Sequence, residues 1–154
     1  MKVDGPHIVM TEIPGRLSLA YQVYGCDVHC PSCHSKYLWD ENSSSSYKLT
    51  IDQMVKDITR YDHVDCVLFL GGEWNKDLIK FLEAAKEAGK ETALYTGRDI
   101  SEIPERIKSR VDFLKYGPYI DEFGGLDKKT TNQHLIVMKS GEDITRKFWR
   151  KVQS

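Results

Sequence analysis

The chain has 154 residues, 29% of them charged, with 22 lysines and arginines set against 23 aspartates and glutamates. That length predicts one domain, residues 1–154, with a substantial core, and the near-neutral balance lacks the basic excess of a nucleic-acid binder. No apolar run approaches the ~20 residues of a membrane span, and "MKVDGPHIVMTEIPGR" lacks the apolar core of a secretion signal. The expectation is a cytoplasmic protein with neither nucleic-acid nor membrane partners, in a compartment where thiols stay reduced.

In chain order, Leu17, Leu19, Tyr21 and Val23 alternate with Ser18, Ala20, Gln22 and Tyr24, which predicts a strand ending at Gly25. A cysteine-rich stretch follows, and then a serine run, Ser43 to Ser46, of loop composition. Thr50 and Gln53 have capping-box spacing, and Met54, Val55 and Ile58 supply an apolar face, so a helix is predicted to about Arg60. "CVLFLGGE" reads as a buried strand closed by a tight glycine turn. Asn75 is placed to cap a helix from Lys76 to Ala88, stopped by Gly89, with Leu78, Ile79, Leu82 and Ala85 on one side. "TALYTG" predicts another strand, Ser101 a helix to about Arg110 limited by Pro104, "VDFLKYG" and "HLIVM" two further strands, and 143–152 a terminal amphipathic helix. Strands alternating with helices argue for a parallel sheet with right-handed crossovers. With too few strands for an eight-stranded barrel of about 250 residues, the expected fold is α/β, a partial (open) β/α barrel with mostly parallel strands. Sites in such folds lie at the C-terminal ends of the strands. The cysteine loop, "GGE" and "TG" all fall there.

Three of the four cysteines, Cys26, Cys30 and Cys33, lie within eight positions of "GCDVHCPSCHS". A redox pair of Cys30 and Cys33 leaves Cys26 without a purpose. Structural zinc wants a fourth ligand, for which His29, His34, the lone Cys66 or a distant histidine are the candidates; Cys66 opens an apolar strand and reads as a buried small side chain. Three thiolates also suit a 4Fe–4S cube with one iron open to an outside ligand.

The triplet's spacing is the signature of the radical S-adenosyl-L-methionine (radical SAM) enzymes. "GCDVHCPSCHSKYLW" resembles the cluster loop of the activating proteins of anaerobic (class III) ribonucleotide reductase. "LGGEWN", "YTGR" and "DFLKYGPYID" followed by "TTNQHLIVM" resemble that family's later turns and strands, so the likeness runs from about Leu17 to Met138. The resemblance implies that Cys26, Cys30 and Cys33 hold three irons and that the fourth chelates S-adenosyl-L-methionine. One-electron cleavage then gives methionine and a 5′-deoxyadenosyl radical, which takes hydrogen from a glycine of the reductase large subunit. The electron comes from a donor such as flavodoxin or ferredoxin. Gly71 and Gly72 would approach the methionine end, Glu73 would accept from its amino group, Ser32, Cys33 and His34 would meet the adenine, and Thr96 and Gly97 would line the ribose or carboxylate side. Arg98 either pairs with that carboxylate or is a surface arginine.

The chain departs from the family pattern at Ser32, His34 and Ser35 around the last cysteine, at Glu73 where the family has aspartate, and at "KKTTNQHL", which contains Asn132 and Gln133. The alternatives are an activase of another glycyl-radical enzyme, a small radical SAM enzyme acting on a small molecule, and a non-enzymatic zinc module.

Overall fold

The computed structural model describes residues 1–24, 46–118 and 131–148, together with 122, 123, 126 and 128. The cysteine loop and the end of the predicted C-terminal helix lie outside the described residues. In chain order the elements are β1 (Lys2–Val9), β2 (Ser18–Val23), β3 (Tyr47–Lys48), α1 (Ile51–Arg60), β4 (Cys66–Leu70), α2 (Leu78–Glu87), β5 (Glu91–Tyr95), α3 (Glu105–Lys108), β6 (Phe113–Tyr116), β7 (His134–Val137) and β8 (Glu142–Asp143). The strands form one mixed sheet in the order β3-β1-β2-β4-β5-β6-β7-β8.

Its centre is parallel: β2, β4, β5 and β6 run side by side in the same direction. The flanking pairs β3–β1, β1–β2, β6–β7 and β7–β8 are antiparallel. Strand β1 has no counterpart in the sequence reading, because Gly5 and Pro6 interrupt its pattern. The sheet absorbs them in a bulge: the register moves from Asp4↔Gln22 to His7↔Ala20, so β1 spends one residue more than β2.

One core lies between the sheet and the helices. Leu19, Tyr21, Val67, Phe69, Leu94 and Leu114 meet Met54 and Ile58 of α1, Phe81 and Leu82 of α2 and Ile107 of α3. The opposite face of the same strands packs Ala20, Cys66, Leu68, Ala93, Phe113 and Leu135 against Ile13 and Ile144. No helix of the described residues is long and apolar enough to cross a membrane.

Thr50 caps α1, its hydroxyl accepting from Gln53 N at 3.1 Å. The other half of the predicted capping box does not form, because Gln53 Nε2 donates to Asp57 Oδ1 at 2.9 Å instead. Asp57 is buried and also accepts from the Tyr21 hydroxyl at 2.6 Å. Burial, reinforced by that bond, pushes the Tyr21 phenol far above its usual range. Asp57 thus takes a place on the inner face while Val55 stands 40% exposed.

Helix α2 starts later than predicted: Asn75 Oδ1 accepts from Asp77 N at 2.8 Å in a turn ahead of the helix. It ends as predicted at Gly89, whose positive φ lets Gly89 N reach Lys86 O and Lys90 N reach Ala85 O, a Schellman motif. The predicted helix from Ser101 is divided. A 3₁₀ turn, Ile100–Glu102, forms behind Asp99, Ile103 is extended before Pro104, and α3 begins only at Glu105. Where a terminal helix was expected from residue 143, the described residues form β8 and a 3₁₀ turn, Thr145–Phe148, with Asp143 Oδ1 accepting from Thr145 N at 2.9 Å.

Candidate functional site

The four central strands end together. Gln22, Leu70, Tyr95 and Lys115 occupy one row across β2, β4, β5 and β6, with Lys115 Nζ 5.4 Å from the centre of the Tyr95 ring. Beyond this row the chain leaves each strand through a short segment of unusual composition. After β2 come Tyr24 and the cysteine loop, after β4 Gly71, Gly72 and Glu73, after β5 Thr96, Gly97 and Arg98, and after β6 Gly117 and Pro118.

Both glycines after β4 have positive φ, +88° at Gly71 and +110° at Gly72, where a side chain is strained. Space is also lacking. A Cβ on Gly71 would lie 2.8 Å from the Trp74 ring, and one on Gly72 would lie 3.2 Å from Val23 Cγ2. Gly71 N donates to Tyr95 O at 2.7 Å, which ties the turn to the end of β5. The turn therefore lies against Val23, at the point where the chain enters the cysteine loop. Trp74 covers Gly71 and packs on the core beneath.

Glu73 is the acid this turn delivers, and its side chain is 2% exposed. A buried carboxylate is costly without charged or hydrogen-bonded neighbours. Here Oε1 accepts from the Thr96 hydroxyl at 2.7 Å and faces Arg98 Nε at 3.4 Å. The Thr96 hydroxyl in turn accepts from Arg98 N at 3.0 Å. Arg98 NH1 also faces Glu102 at 3.7 Å. The structure thus brings together Gly71, Gly72, Glu73 and Thr96, with Gly97 in the same turn as Thr96. It gives Arg98, undecided in the sequence reading, a place beside Glu73. Cys26, Cys30, Ser32, Cys33 and His34 lie outside the described residues.

The sequence reading assigned no site residue to the turn after β6. Gly117, at φ +99°, has Asn132 O 2.5 Å from where its Cβ would be, and its N–H donates to Arg98 O at 2.8 Å. Gln133 Nε2 donates to Gly117 O and Asn132 Nδ2 to Pro118 O, both at 3.4 Å. Asn132 and Gln133 therefore brace the β6 turn against Arg98. The Gly-Pro dipeptide was the available signal, since that pair marks a turn.

Cys66 is a buried free thiol at the start of β4, at the opposite end of the strand from Glu73. Burial pushes its pKa up to about 12, so it stays protonated and is a poor metal ligand. Cys66→Ala is expected to leave the iron content of the protein unchanged and to cost about 1 kcal/mol of stability. Iron analysis alongside a urea titration checks both.

In the sequence the three clustered cysteines follow directly on β2, the parallel strand whose Val23 meets the glycine turn after β4. Residues 14–137 match the family described as 4Fe-4S single cluster domain, and the chain belongs to that family. The match spans β2 to β7 and includes the three clustered cysteines. No curated protein matches the chain.

Proposed function

We propose that the chain is a radical SAM activase: Cys26, Cys30 and Cys33 hold the 4Fe–4S cluster, and the protein installs a glycyl radical on the large subunit of an anaerobic ribonucleotide reductase. The donor set fits the group, since three closely spaced thiols ligate a cube and leave one iron open. When bound, the cluster and S-adenosyl-L-methionine supply a one-electron cleavage that ends in methionine, 5′-deoxyadenosine and a glycyl radical on the partner.

The chain's own residues bind and orient. Gly71 and Gly72 present backbone without side chains, Glu73 offers a buried carboxylate to an amino group, and Ser32, His34, Thr96 and Gly97 line the rest of the ligand. In this reading the sheet is a partial barrel, its rim carrying the site and its open side facing a protein substrate, with flavodoxin or ferredoxin as the electron donor.

The observation that carries the reading is the packing of Gly72 on Val23. It sets the glycine-glycine-acid turn, with its buried carboxylate, beside the entry to the cysteine loop. The test is anaerobic reconstitution with iron and sulfide, reduction with dithionite, addition of S-adenosyl-L-methionine, and assay for 5′-deoxyadenosine. Cluster absorbance together with the product supports the proposal. A colourless protein that holds one zinc and cleaves nothing overturns it in favour of a structural zinc module.

A further inference from the structure

We infer that Arg98 is a positioning residue for the ligand's amino group, acting through Glu73 rather than by touching the ligand. The inference rests on the reading of Glu73 as the acceptor of that amino group. Three features of the structure support it.

The first is that Arg98 stands on a backbone tied at both ends. Its N–H donates to the Thr96 hydroxyl at 3.0 Å, and its carbonyl accepts from Gly117 N at 2.8 Å. The second is that the Arg98 guanidinium and the Thr96 hydroxyl converge on one oxygen, Oε1 of Glu73, at 3.4 and 2.7 Å. The hydroxyl's hydrogen bond and the guanidinium's charge act on the same oxygen, and together they favour one orientation of the carboxylate. The third is burial. The Glu73 side chain is 2% exposed, so water does little to solvate its charge, and the guanidinium beside it offsets part of that burial cost.

Thr96 has a double part in this arrangement. Its hydroxyl accepts from the Arg98 backbone and donates to Glu73, so one side chain sets both the seat of the arginine and the orientation of the acid. A long-range brace completes the seat, because Gly117 is itself held by Gln133 from the far side of β6. The pieces come from four separate stretches of chain, after β4, after β5, after β6 and before β7.

The test measures equilibrium binding of two ligands to the anaerobically reconstituted protein. One is S-adenosyl-L-methionine; the other is the analogue whose methionine part lacks the α-amino group. A residue acting through Glu73 matters only to the ligand with the amine. Arg98→Met is expected to weaken S-adenosyl-L-methionine binding by about tenfold, the scale of one lost charge-assisted interaction, while leaving the analogue within about twofold of wild type. Arg98→Lys restores part of the loss, because it returns the charge without the planar fork. Arg98→Gln, which keeps a polar side chain but loses the charge, weakens the same ligand in the same selective way, and it carries the test if Arg98→Met folds poorly. Equal loss for both ligands means that Arg98 grips the carboxylate directly or supports the fold, and overturns the inference. No loss for either ligand also overturns it. If the wild-type protein binds neither ligand, the reading of Glu73 falls and this inference with it, an outcome distinct from selective failure in the variants.

Discussion

Cys30→Ala is expected to remove the iron–sulfur absorbance of the reconstituted protein and to reduce 5′-deoxyadenosine formation to background. Cys30 is the middle thiol of the triplet, three residues after Cys26 in the intervening count and two before Cys33. Two remaining thiolates leave two irons of a cube without protein ligands, and alanine supplies no donor in exchange. Cys66 is no substitute: it is buried at the opposite end of β4 with a thiol pushed up to about 12. Cys66→Ala is the matched control, since it removes a thiol from the same protein without touching the loop. The comparison reads iron per chain, absorbance and product together. Full iron and full product in Cys30→Ala would refute the ligand assignment.

Phe69→Ala is expected to cost about 3–5 kcal/mol and to lower the melting temperature by on the order of 10 °C. Phe69 is fully buried in β4, the strand flanked on both sides by the parallel β2 and β5. Its ring stacks on Tyr21 with centroids 5.9 Å apart and meets Phe81 of α2 edge-on at 6.4 Å. Truncation leaves a cavity between the sheet and α2 that rigid neighbours cannot refill. It also undercuts the Tyr21 ring, whose hydroxyl holds Asp57 of α1. Since a domain's total stability is only about 5–15 kcal/mol, a loss of this size is easily read in a urea titration. A change under about 1 kcal/mol would mean that the sheet–helix core repacks around the gap, against the geometry described here.

The parts of this structure that were legible in the sequence depend on neighbours a few residues apart. Thr50 caps α1 because its hydroxyl reaches the amide three positions on, and Gly89 ends α2 because a residue without Cβ adopts positive φ. The strand patterns of β2, β4, β5, β6 and β7 were visible as alternation or short apolar runs, and the clustered cysteines as a spacing. The same local logic misled where a local signal competed with a distant partner. Gln53 leaves the capping box for Asp57, which Tyr21 holds from 36 positions away. Gly5 and Pro6 read as a break, yet pairing with β2 and β3 carries β1 through it in a bulge.

The candidate site divides in the same way. Which residues the proposed site would use, the three thiols, the two glycines and the acid, was suggested by their spacing along the chain together with the family resemblance. What those residues touch was not. Glu73 meets Thr96 and Arg98 only because β4 and β5 lie parallel in register, Phe69 opposite Leu94 and Leu70 opposite Tyr95, which brings their ends level. Gly117 meets Arg98 because β6 lies next to β5, and Gln133 reaches Gly117 because β7 returns antiparallel alongside β6. Strand order and register are set by burying two apolar faces at once, one under the helices and one over Ile13 and Ile144. That is a property of the whole sheet. No window of a few residues contains it, so the sequence supplied the parts of the site and the packed sheet decided their partners.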